Sequence, residues 1–417
     1  MTLDCQRRID LWAGSLLRLM LAPPAALVRR ILRRGHDLSS CSTVTILKLR
    51  GAGSLAIAYP ALLGLRRFPR IRRLRMVTTR GIAPFAQALG IFDEVLTIEP
   101  LSFARSVVRL FRCEAIVDLE MHSQLTNVFC LLTCARNRIG FYTSKSSRRA
   151  HLATHLLYCN PYGRIYEAYD QVARLFGATV PSLEESSREF RRNLGLPAER
   201  ATMQRNSIGI APACSALRIE RMLRPAEWIR IVKSRGWTDA PFHLLGGEPD
   251  RALLEELARL LRAEIPGAGV EIHAGQPLEW SLRQMAELRV AVCVDSAMLH
   301  FARLLGTPTV SYWGPSDPET LLRPAAKPID EIFYAGISCS PCVYTSLPAP
   351  CRGNNICMRL ACEASTRHAG VRAPRLGELQ CFAEARIVAD APDAGVQIIM
   401  RQAEATEEAE GEVGDLA

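Results

Sequence analysis

The stretch VCVDSAMLHFARLLGTPTVSYWG, residues 292–314, passes from one structural period to another and back. The apolar residues 291–294 end at Asp295 and Ser296 and predict a buried strand. The segment 297–306 spaces its apolar residues as a helix does and ends in glycine, and 309–314 predicts a second strand. A strand, a helix and a strand in this order predict a βαβ unit with parallel strands.

The same alternation continues on both sides of this unit. Before it, the sequence predicts strands at 207–212, 241–247 and 270–275, separated by helices at 225–236, 249–262 and 281–290. Nearer the N-terminus it predicts strands at 72–78, 93–98 and 114–120, with helices at 82–90 and 103–112. These two runs predict two doubly wound α/β domains, with a ligand cleft at the carboxyl ends of the strands.

Composition and charge narrow the class of partner. A chain of 417 residues with 48% hydrophobic residues can bury two cores, which excludes global disorder. The net charge of +10 favours an anionic partner, although much of the excess is arginine near the N-terminus. No aromatic-rich basic motif is present, so we expect no nucleic-acid partner. The fourteen cysteines mostly stand singly in apolar runs, which predicts buried thiols in a reducing compartment.

The N-terminal segment combines apolar residues with arginines. In ALVRRILRR, residues 26–34, apolar residues cover one side of a helix and arginines the other, which is typical of a helix on an anionic membrane surface. The alternative is a helix packed on its own domain with a solvated arginine face. Arg18 and Pro23-Pro24 interrupt the preceding apolar run, so we expect neither a spanning helix nor a signal peptide. We expect residues 1–34 to hold the protein peripherally on the cytoplasmic face of the plasma membrane.

The junction at Asp295 and Ser296 predicts a binding site for an anion. A helix that begins there exposes the backbone N–H groups of Ser296, Ala297 and Met298 and the positive end of its dipole, which together suit a diphosphate. Asp295 can accept hydrogen bonds from sugar hydroxyls, and His300 lies one turn further on. The alternative is a structural N-cap with a packed histidine.

At this point the chain resembles a known family. Residues 295–318 resemble the C-terminal signature of glycosyltransferase family 9, the lipopolysaccharide heptosyltransferase group. The matching order is D-S-x-x-x-H-x-A-x-x-x-G-T-P-T-V-x-x-Y-W-G-P-S-D-P. Further segments resemble the family in the same order, so that the resemblance covers roughly residues 43 to 360: 59–69, 116–141, 209–228, 244–250 and 339–358. It implies an α/β fold of the GT-B type, in which two Rossmann-like doubly wound domains face a central cleft.

The resemblance gives each part of the chain an expected role. We expect an amphipathic membrane-surface segment at 1–40, an acceptor-side domain at 41–185, a linker at 186–205, a nucleotide-sugar-binding domain with a cysteine-rich end at 206–362, and an extension with an acidic tail at 363–417. The implied reaction moves a heptose-like or other hexose sugar from a nucleotide-diphosphate donor to the lipopolysaccharide core or another cell-envelope glycolipid. The alternative is an inactive homologue that binds sugar nucleotides or glycans.

The resemblance also implies donor-site residues. These are Asp295, Ser296, Ala297, Met298, His300, Gly246 and Gly247, with Arg221 and Arg224 in the segment that contacts the diphosphate. A solvated arginine face is the alternative for the two arginines and for Arg218 beside them. The family usually carries glycine at the position of Ala297, but a β-carbon is tolerated in helical backbone, so we expect the donor site to persist.

The stretch 45–67, TILKLRGAGSLAIAYPALLGLRR, predicts a strand, a glycine turn and a helix on the acceptor side. In the family, the corresponding loop carries an aspartate proposed as the general base, whereas here the loop contains Gly51, Gly53 and Ser54. A serine without a partner is a poor base at neutral pH. Three alternatives follow: Glu120 or His122, near Asp118 on the acceptor side, replaces the base; the reaction depends mainly on leaving-group stabilisation; or the chain binds ligands without catalysis.

The family resemblance implies no cofactor for catalysis. Four cysteines are candidate ligands for a zinc ion: Cys339, Cys342, Cys351 and Cys357. They are spaced C-x-x-C and then C-x5-C, and the second spacing is unusual for a zinc site. Packing thiols or a local clasp are the alternatives.

Overall fold

A computed structural model describes residues 10–367, except 11, 18, 22, 25–34, 100–101, 122, 144–151, 161, 201–205, 216–218, 327–328, 344–348, 350 and 352. The arginine-rich part of the predicted membrane segment, 27–34, and the tail beyond 367 lie outside these residues. The described residues contain no helix that is both long and apolar enough to cross a bilayer.

The first sheet has six parallel strands in the order β3-β2-β1-β4-β5-β6. They are β1 (Thr43–Leu47), β2 (Arg73–Thr78), β3 (Glu94–Thr97), β4 (Ala115–Asp118), β5 (Asn137–Tyr142) and β6 (His155–Tyr158). The strand order reverses between β1 and β4, and at such a switch point the loops after the strands leave room for a ligand.

The second sheet repeats this arrangement, with six parallel strands in the order β12-β11-β10-β7-β8-β9. They are β7 (Ile208–Ala211), β8 (Phe242–Gly246), β9 (Val270–Ala274), β10 (Val290–Val294), β11 (Thr309–Trp313) and β12 (Asp330–Tyr334). All five residues of β10 and of β11 are buried, as expected of central strands covered by helices on both faces.

Twelve α-helices follow residue 50 in the described part of the chain. They are α1 (Ala52–Arg67), α2 (Ala83–Ala88), α3 (Phe103–Arg109), α4 (Leu125–Leu132), α5 (Ile165–Leu175), α6 (Leu183–Asn193), α7 (Pro225–Ser234), α8 (Arg251–Glu264), α9 (Leu278–Glu287), α10 (Ala297–Leu304), α11 (Pro318–Leu321) and α12 (Ile356–Arg367). Residues 10–24 are also helical where described, and the Asp10 carboxylate accepts hydrogen bonds from the backbone N–H groups of Gln124 and Leu125 at the start of α4.

The two domains are joined by packing as well as by the chain. Helix α1 of the first domain packs against α10 of the second, and one hydrophobic core contains residues of both. Helix α6 lies beside both of these helices, and its Phe190 ring contacts Tyr59 and Phe85. Asp170 accepts a hydrogen bond from Arg323 Nη1 across the interface at 2.9 Å. The stretch 180–205, which includes the predicted linker, therefore contains a helix packed between the domains.

Candidate functional site

Ser296 lies at the turn from β10 into α10, and its side chain makes no capping hydrogen bond to the helix. Its backbone is extended. The residue is 8% exposed, and Oγ has no hydrogen-bond partner among the described residues. By contrast, Ser182 at the start of α6 accepts a hydrogen bond from the backbone N–H of Glu185 at 3.1 Å, as an N-cap does. Ser296 is thus a buried polar group next to unsatisfied backbone N–H groups.

Asp295 precedes it and is a buried, ionised group. Ser316 donates to its Oδ2 at 2.6 Å, and Arg221 Nη1 lies 3.2 Å from the same oxygen. His300 Nε2 lies 3.8 Å from Oδ1. Burial alone would raise the pKa of Asp295, but the contact with His300 and the charge of Arg221 outweigh burial and lower the pKa to about 2.

Arg221 connects this carboxylate to the segment that precedes α7. Its Nη1 also donates to the backbone carbonyl of Asp295 at 2.8 Å, and its Nη2 donates to Ser215 Oγ at 2.9 Å. Arg224 is exposed at the N-cap of α7, where its backbone N–H donates to Glu227 at 2.7 Å. Arg218 is outside the described residues. The structure therefore brings Arg221, but not Arg224, into contact with Asp295.

The N-terminal turns of α1 and α10 meet directly. A β-carbon added at Gly53 would lie 3.0 Å from His300 Cδ2 and 3.1 Å from Ala297 Cα, closer than ordinary van der Waals contact. Ala297 and Met298 are partly buried against the shared core. A β-carbon at position 53 would therefore be tightly packed, and Ala297 or His300 would have to shift by a few tenths of an ångström to admit it.

In the first domain, where the sequence analysis expects the acceptor, the turn before α1 brings Ser54 next to a buried tyrosine. Gly51 has a φ of 78°, a left-handed conformation that glycine adopts without strain. Ser54 hydrogen-bonds the phenol of Tyr169. Burial raises the pKa of Tyr169, and the nearby Lys48 ammonium opposes that rise.

Glu120 is engaged in a buried ion pair. Its Oε1 accepts from Lys48 Nζ at 3.1 Å and from the backbone N–H groups of Leu49 and Arg50, each at 2.8 Å. Burial raises the pKa of Glu120, but the Lys48 charge and these hydrogen bonds outweigh it and hold that pKa below its usual range. A carboxylate held in this way fixes the loop between β1 and α1 and is a weak base.

Asp118, at the end of β4, is also occupied by local contacts. It accepts from the backbone N–H of Glu120 at 2.9 Å and from the Thr126 hydroxyl at 2.7 Å, so it fixes the turn that follows β4. His122, the second predicted replacement base, lies outside the described residues.

The two glycines after β8 form a turn at the same edge of the second sheet. Gly246 accepts a backbone hydrogen bond from Gly275, and the Gly247 N–H donates to Asp250 Oδ2 at 2.9 Å. A β-carbon at Gly246 would lie 3.1 Å from Asp250 Cβ and from Leu254 Cδ1, so these side chains would have to shift slightly to admit a larger residue.

The four predicted zinc ligands line one small cavity of about 30 Å³. Cys342 and Cys357 are buried, Cys351 is half-buried and Cys339 is exposed. Burial raises the pKa of Cys357 to about 12. The four sulfur atoms do not meet within 4.8 Å of one another, whereas a zinc ion requires its thiolates about 4 Å apart.

A larger concavity of about 610 Å³ opens at the carboxyl ends of β5 and β6, on the edge of the sheet that carries Glu120. Its wall contains two tyrosines whose rings meet edge to face, Tyr142 and Tyr158, and the Tyr158 side chain is largely exposed. Arg164 and Asn160 add polar groups. The sequence analysis did not single out these residues, nor Lys48, Tyr169 and Ser316. A lysine at the end of a buried strand was the available signal for Lys48.

Comparison with known proteins agrees with the predicted resemblance. The model of glycosyltransferase family 9 (heptosyltransferase) matches residues 165–351. The structure is similar to E. coli ADP-heptose lipopolysaccharide heptosyltransferase II, with a TM-score of 0.56 at 16% identity, over 78% of this chain and 98% of that one. It is also similar to a family 9 glycosyltransferase of Veillonella parvula, with a TM-score of 0.53 at 15% identity, over 71% and 86%.

A third similar structure is a complex with a sugar-nucleotide analogue. This is E. coli heptosyltransferase WaaC with ADP-2-deoxy-2-fluoro heptose, with a TM-score of 0.54 at 15% identity, over 70% of this chain and 92% of that one. A search among curated proteins found no match. The family resemblance and the GT-B fold class are confirmed.

Proposed function

We propose that this chain is a glycosyltransferase of family 9 and transfers a sugar from a nucleotide-diphosphate donor to a glycan acceptor of the cell envelope. The observation that carries the proposal is Ser296, a buried hydroxyl without a described partner at the start of α10, beside a carboxylate held ionised by Arg221 and His300. Free N–H groups and the helix dipole favour a diphosphate at this point. They would stabilise the charge that develops on the leaving diphosphate.

Asp295 has a separate task. A carboxylate with a pKa near 2 stays ionised at neutral pH, and accepts hydrogen bonds from the hydroxyls of a sugar or ribose. Arg221 and Ser316 fix its orientation, so the donor meets a site formed before it binds.

For the acceptor, we propose the concavity lined by Tyr142, Tyr158 and Arg164. An exposed tyrosine ring offers an apolar face and a hydroxyl to a sugar, and an arginine suits the carboxylate or phosphate groups of envelope glycans. The concavity lies at the same sheet edge as Ser54 and Glu120, which supports an acceptor that reaches from there to the cleft.

The mechanism that we propose depends on leaving-group stabilisation more than on a carboxylate base. Glu120 is paired with Lys48 and holds the acceptor loop, and Ser54 contacts Tyr169. The pKa of Glu120 is held below its usual range by Lys48 and the backbone hydrogen bonds, and a serine hydroxyl is a poor base at neutral pH. The acceptor oxygen would then bond to the anomeric carbon of the sugar as the bond from that carbon to the diphosphate breaks, and the hydroxyl proton would pass late to the departing diphosphate or to water.

We further propose that the N-terminal segment docks on an anionic membrane surface. Trp12, Leu16, Leu19 and Met20 share one face of the helical residues 10–24, and they are 50–79% exposed. Arginines flank this face in the sequence, and Asp10 ties the helix to α4. Trp12→Ser with Leu16→Ser should abolish sedimentation with anionic vesicles, whereas Phe111→Ser, at an exposed aromatic residue elsewhere, should not. Equal sedimentation of both variants would contradict the docking proposal.

We also propose that the four cysteines around the small cavity bind a zinc ion. Its support is that all four thiols surround one cavity, and binding would require the sulfur atoms to move together. Equilibrium dialysis of the reduced protein and of Cys342→Ser against zinc tests it, and equal zinc content would refute it.

The donor site is tested by calorimetry with a panel of nucleoside diphosphates and their sugars, followed by a product assay. Ser296→Ala should weaken the best ligand by about tenfold or more, since it removes a hydrogen bond to a charged group. Ser182→Ala is the matched control, because it removes a serine from the start of another helix and should lower stability but not affinity. Unchanged affinity in Ser296→Ala would contradict the proposed diphosphate position.

A further inference from the structure

Two histidines and a glutamate converge on the last two strands of the second sheet. His243 of β8 pairs in register with Glu271 of β9, and His273 follows two residues later on the same face. His243 Nδ1 lies 2.8 Å from His273 Nε2, and Glu271 Oε2 lies 3.5 Å from the first nitrogen and 3.4 Å from the second.

We propose that these three side chains bind a divalent transition-metal ion, with zinc as the best-fitting member of the class. Two imidazole nitrogens and one carboxylate oxygen are ligands that zinc takes, at bond lengths of about 2.0–2.2 Å. Tetrahedral bonds of that length separate neighbouring ligand atoms by about 3.4 Å. The two distances from Glu271 equal that value, and the nitrogen pair would have to open by about 0.6 Å.

A hydrogen-bonded histidine pair explains the short distance between the nitrogens but not the third group. In such a pair one imidazole N–H points at the lone pair of the other ring, and neither atom needs a carboxylate oxygen nearby. Here Glu271 reaches both nitrogens with one oxygen, which is the arrangement of three ligands around one ion.

The surroundings suit a metal site with one open side. The side chains of His243 and His273 are 10% and 12% exposed, whereas that of Glu271 is 64% exposed and leaves a path for the ion and a water ligand. Trp280 of α9 packs against the His273 ring, with centroids 4.8 Å apart, and this limits its rotation. Because β9 is the edge strand, a bound ion would link it to β8 and stabilise the sheet.

The inference does not depend on the proposed transfer reaction, since its readout is metal binding. Purified, reduced full-length protein is titrated with Zn²⁺ by calorimetry, beside His243→Ala/His273→Ala and the control His155→Ala, a histidine on the edge strand of the other sheet. The double variant should bind one zinc ion fewer per chain than the wild type. Any zinc at the cysteines is common to all three proteins and cancels in the comparison.

A second variant, at the exposed Glu271, distinguishes loss of zinc binding from loss of folding. Glu271→Gln removes the exposed ligand and should weaken zinc at this site by at least 10- to 100-fold, the range found for loss of an outer-shell partner alone. Zinc should raise the melting temperature of wild type and His155→Ala more than that of Glu271→Gln. Equal zinc affinity in Glu271→Gln and wild type, or equal stoichiometry in the double histidine variant, would overturn the proposal.

Discussion

The ion pair between Lys48 and Glu120 allows a test that separates a structural carboxylate from a catalytic base. The single variant Glu120→Gln removes the negative charge and leaves Lys48 buried and unpaired. The double variant Lys48→Met/Glu120→Gln removes both charges, while the glutamine carbonyl can still accept from the backbone N–H groups of Leu49 and Arg50.

The expected magnitudes follow from the geometry. At the observed 3.1 Å and an effective dielectric constant of about 20, the attraction between the charges is roughly 5 kcal/mol, which offsets the cost of burying them. Breaking a buried pair on one side typically costs about 3–5 kcal/mol, whereas replacing both members is often close to neutral. We therefore expect Glu120→Gln to lose about 3–5 kcal/mol of unfolding free energy and the double variant to recover most of it.

Urea unfolding at neutral pH and a transfer assay, applied to all three proteins, give the answer. If Glu120 only holds the loop, the turnover of the double variant should return to within about tenfold of wild type together with its stability. If Glu120 is the base, turnover should stay lower by on the order of 10²–10⁴ in a stable protein. A stable double variant with turnover lost to that extent would refute our assignment of Glu120.

Three further predictions concern the two faces of the cleft. The pKa of Asp295 is lowered from its ordinary value of 3.8 to about 2. The ionised carboxylate should therefore add about 2 kcal/mol to the unfolding free energy above pH 4, and this contribution should be lost as the pH falls towards 2. Urea unfolding from pH 5 to 2 should show the stability difference between wild type and Asp295→Asn shrinking over the same range. Gly53→Ala should lower the unfolding free energy by about 1–3 kcal/mol, and Ala297→Gly in the same chain should restore little of it, because the tight contacts are with His300 Cδ2 and Ala297 Cα, whereas the methyl of Ala297 would lie at an ordinary 3.6 Å. Ser54→Ala should lower stability by about 0.5–1.5 kcal/mol with turnover largely kept, and a transfer assay that finds activity abolished would contradict the proposed mechanism.

The sequence predicted most strands of both sheets, including the edge strands β3 and β9, but it missed β5, β6, β12 and the polar helix α6. Strands β4 and β10 begin and end within two residues of the predicted bounds, because a buried apolar run between turn residues has few alternatives. Helix α6 was missed because its sequence, LEESSREFRRN, is strongly polar, and Leu183 and Phe190 are its two buried apolar residues. The capping box formed by Ser182 and Glu185 was the available signal.

The candidate site was predictable where it depends on one segment and not where it depends on strand order. Asp295, Ser296 and His300 lie within six residues, so their proximity follows from a strand that ends in a helix. Lys48 and Glu120 are 72 residues apart, and their contact requires β1 and β4 to be neighbours, which the local pattern does not specify. The same limit applies to His243 and His273, which only the pairing of β8 with β9 brings together.

The two positions at which the sequence analysis expects a departure from the family pattern, Ser54 and Ala297, lie on opposite sides of one contact. Gly53 packs against Ala297, so the N-terminal ends of α1 and α10 face each other across the cleft. Each end carries the positive pole of a helix dipole, and their approach is unfavourable unless negative charge lies nearby. An aspartate at position 54 would supply such a charge from the acceptor side. With serine there, Asp295 and the diphosphate of a bound donor are the groups that can neutralise both ends. On our proposal, the diphosphate of a bound donor would therefore stabilise the contact between the two helix ends.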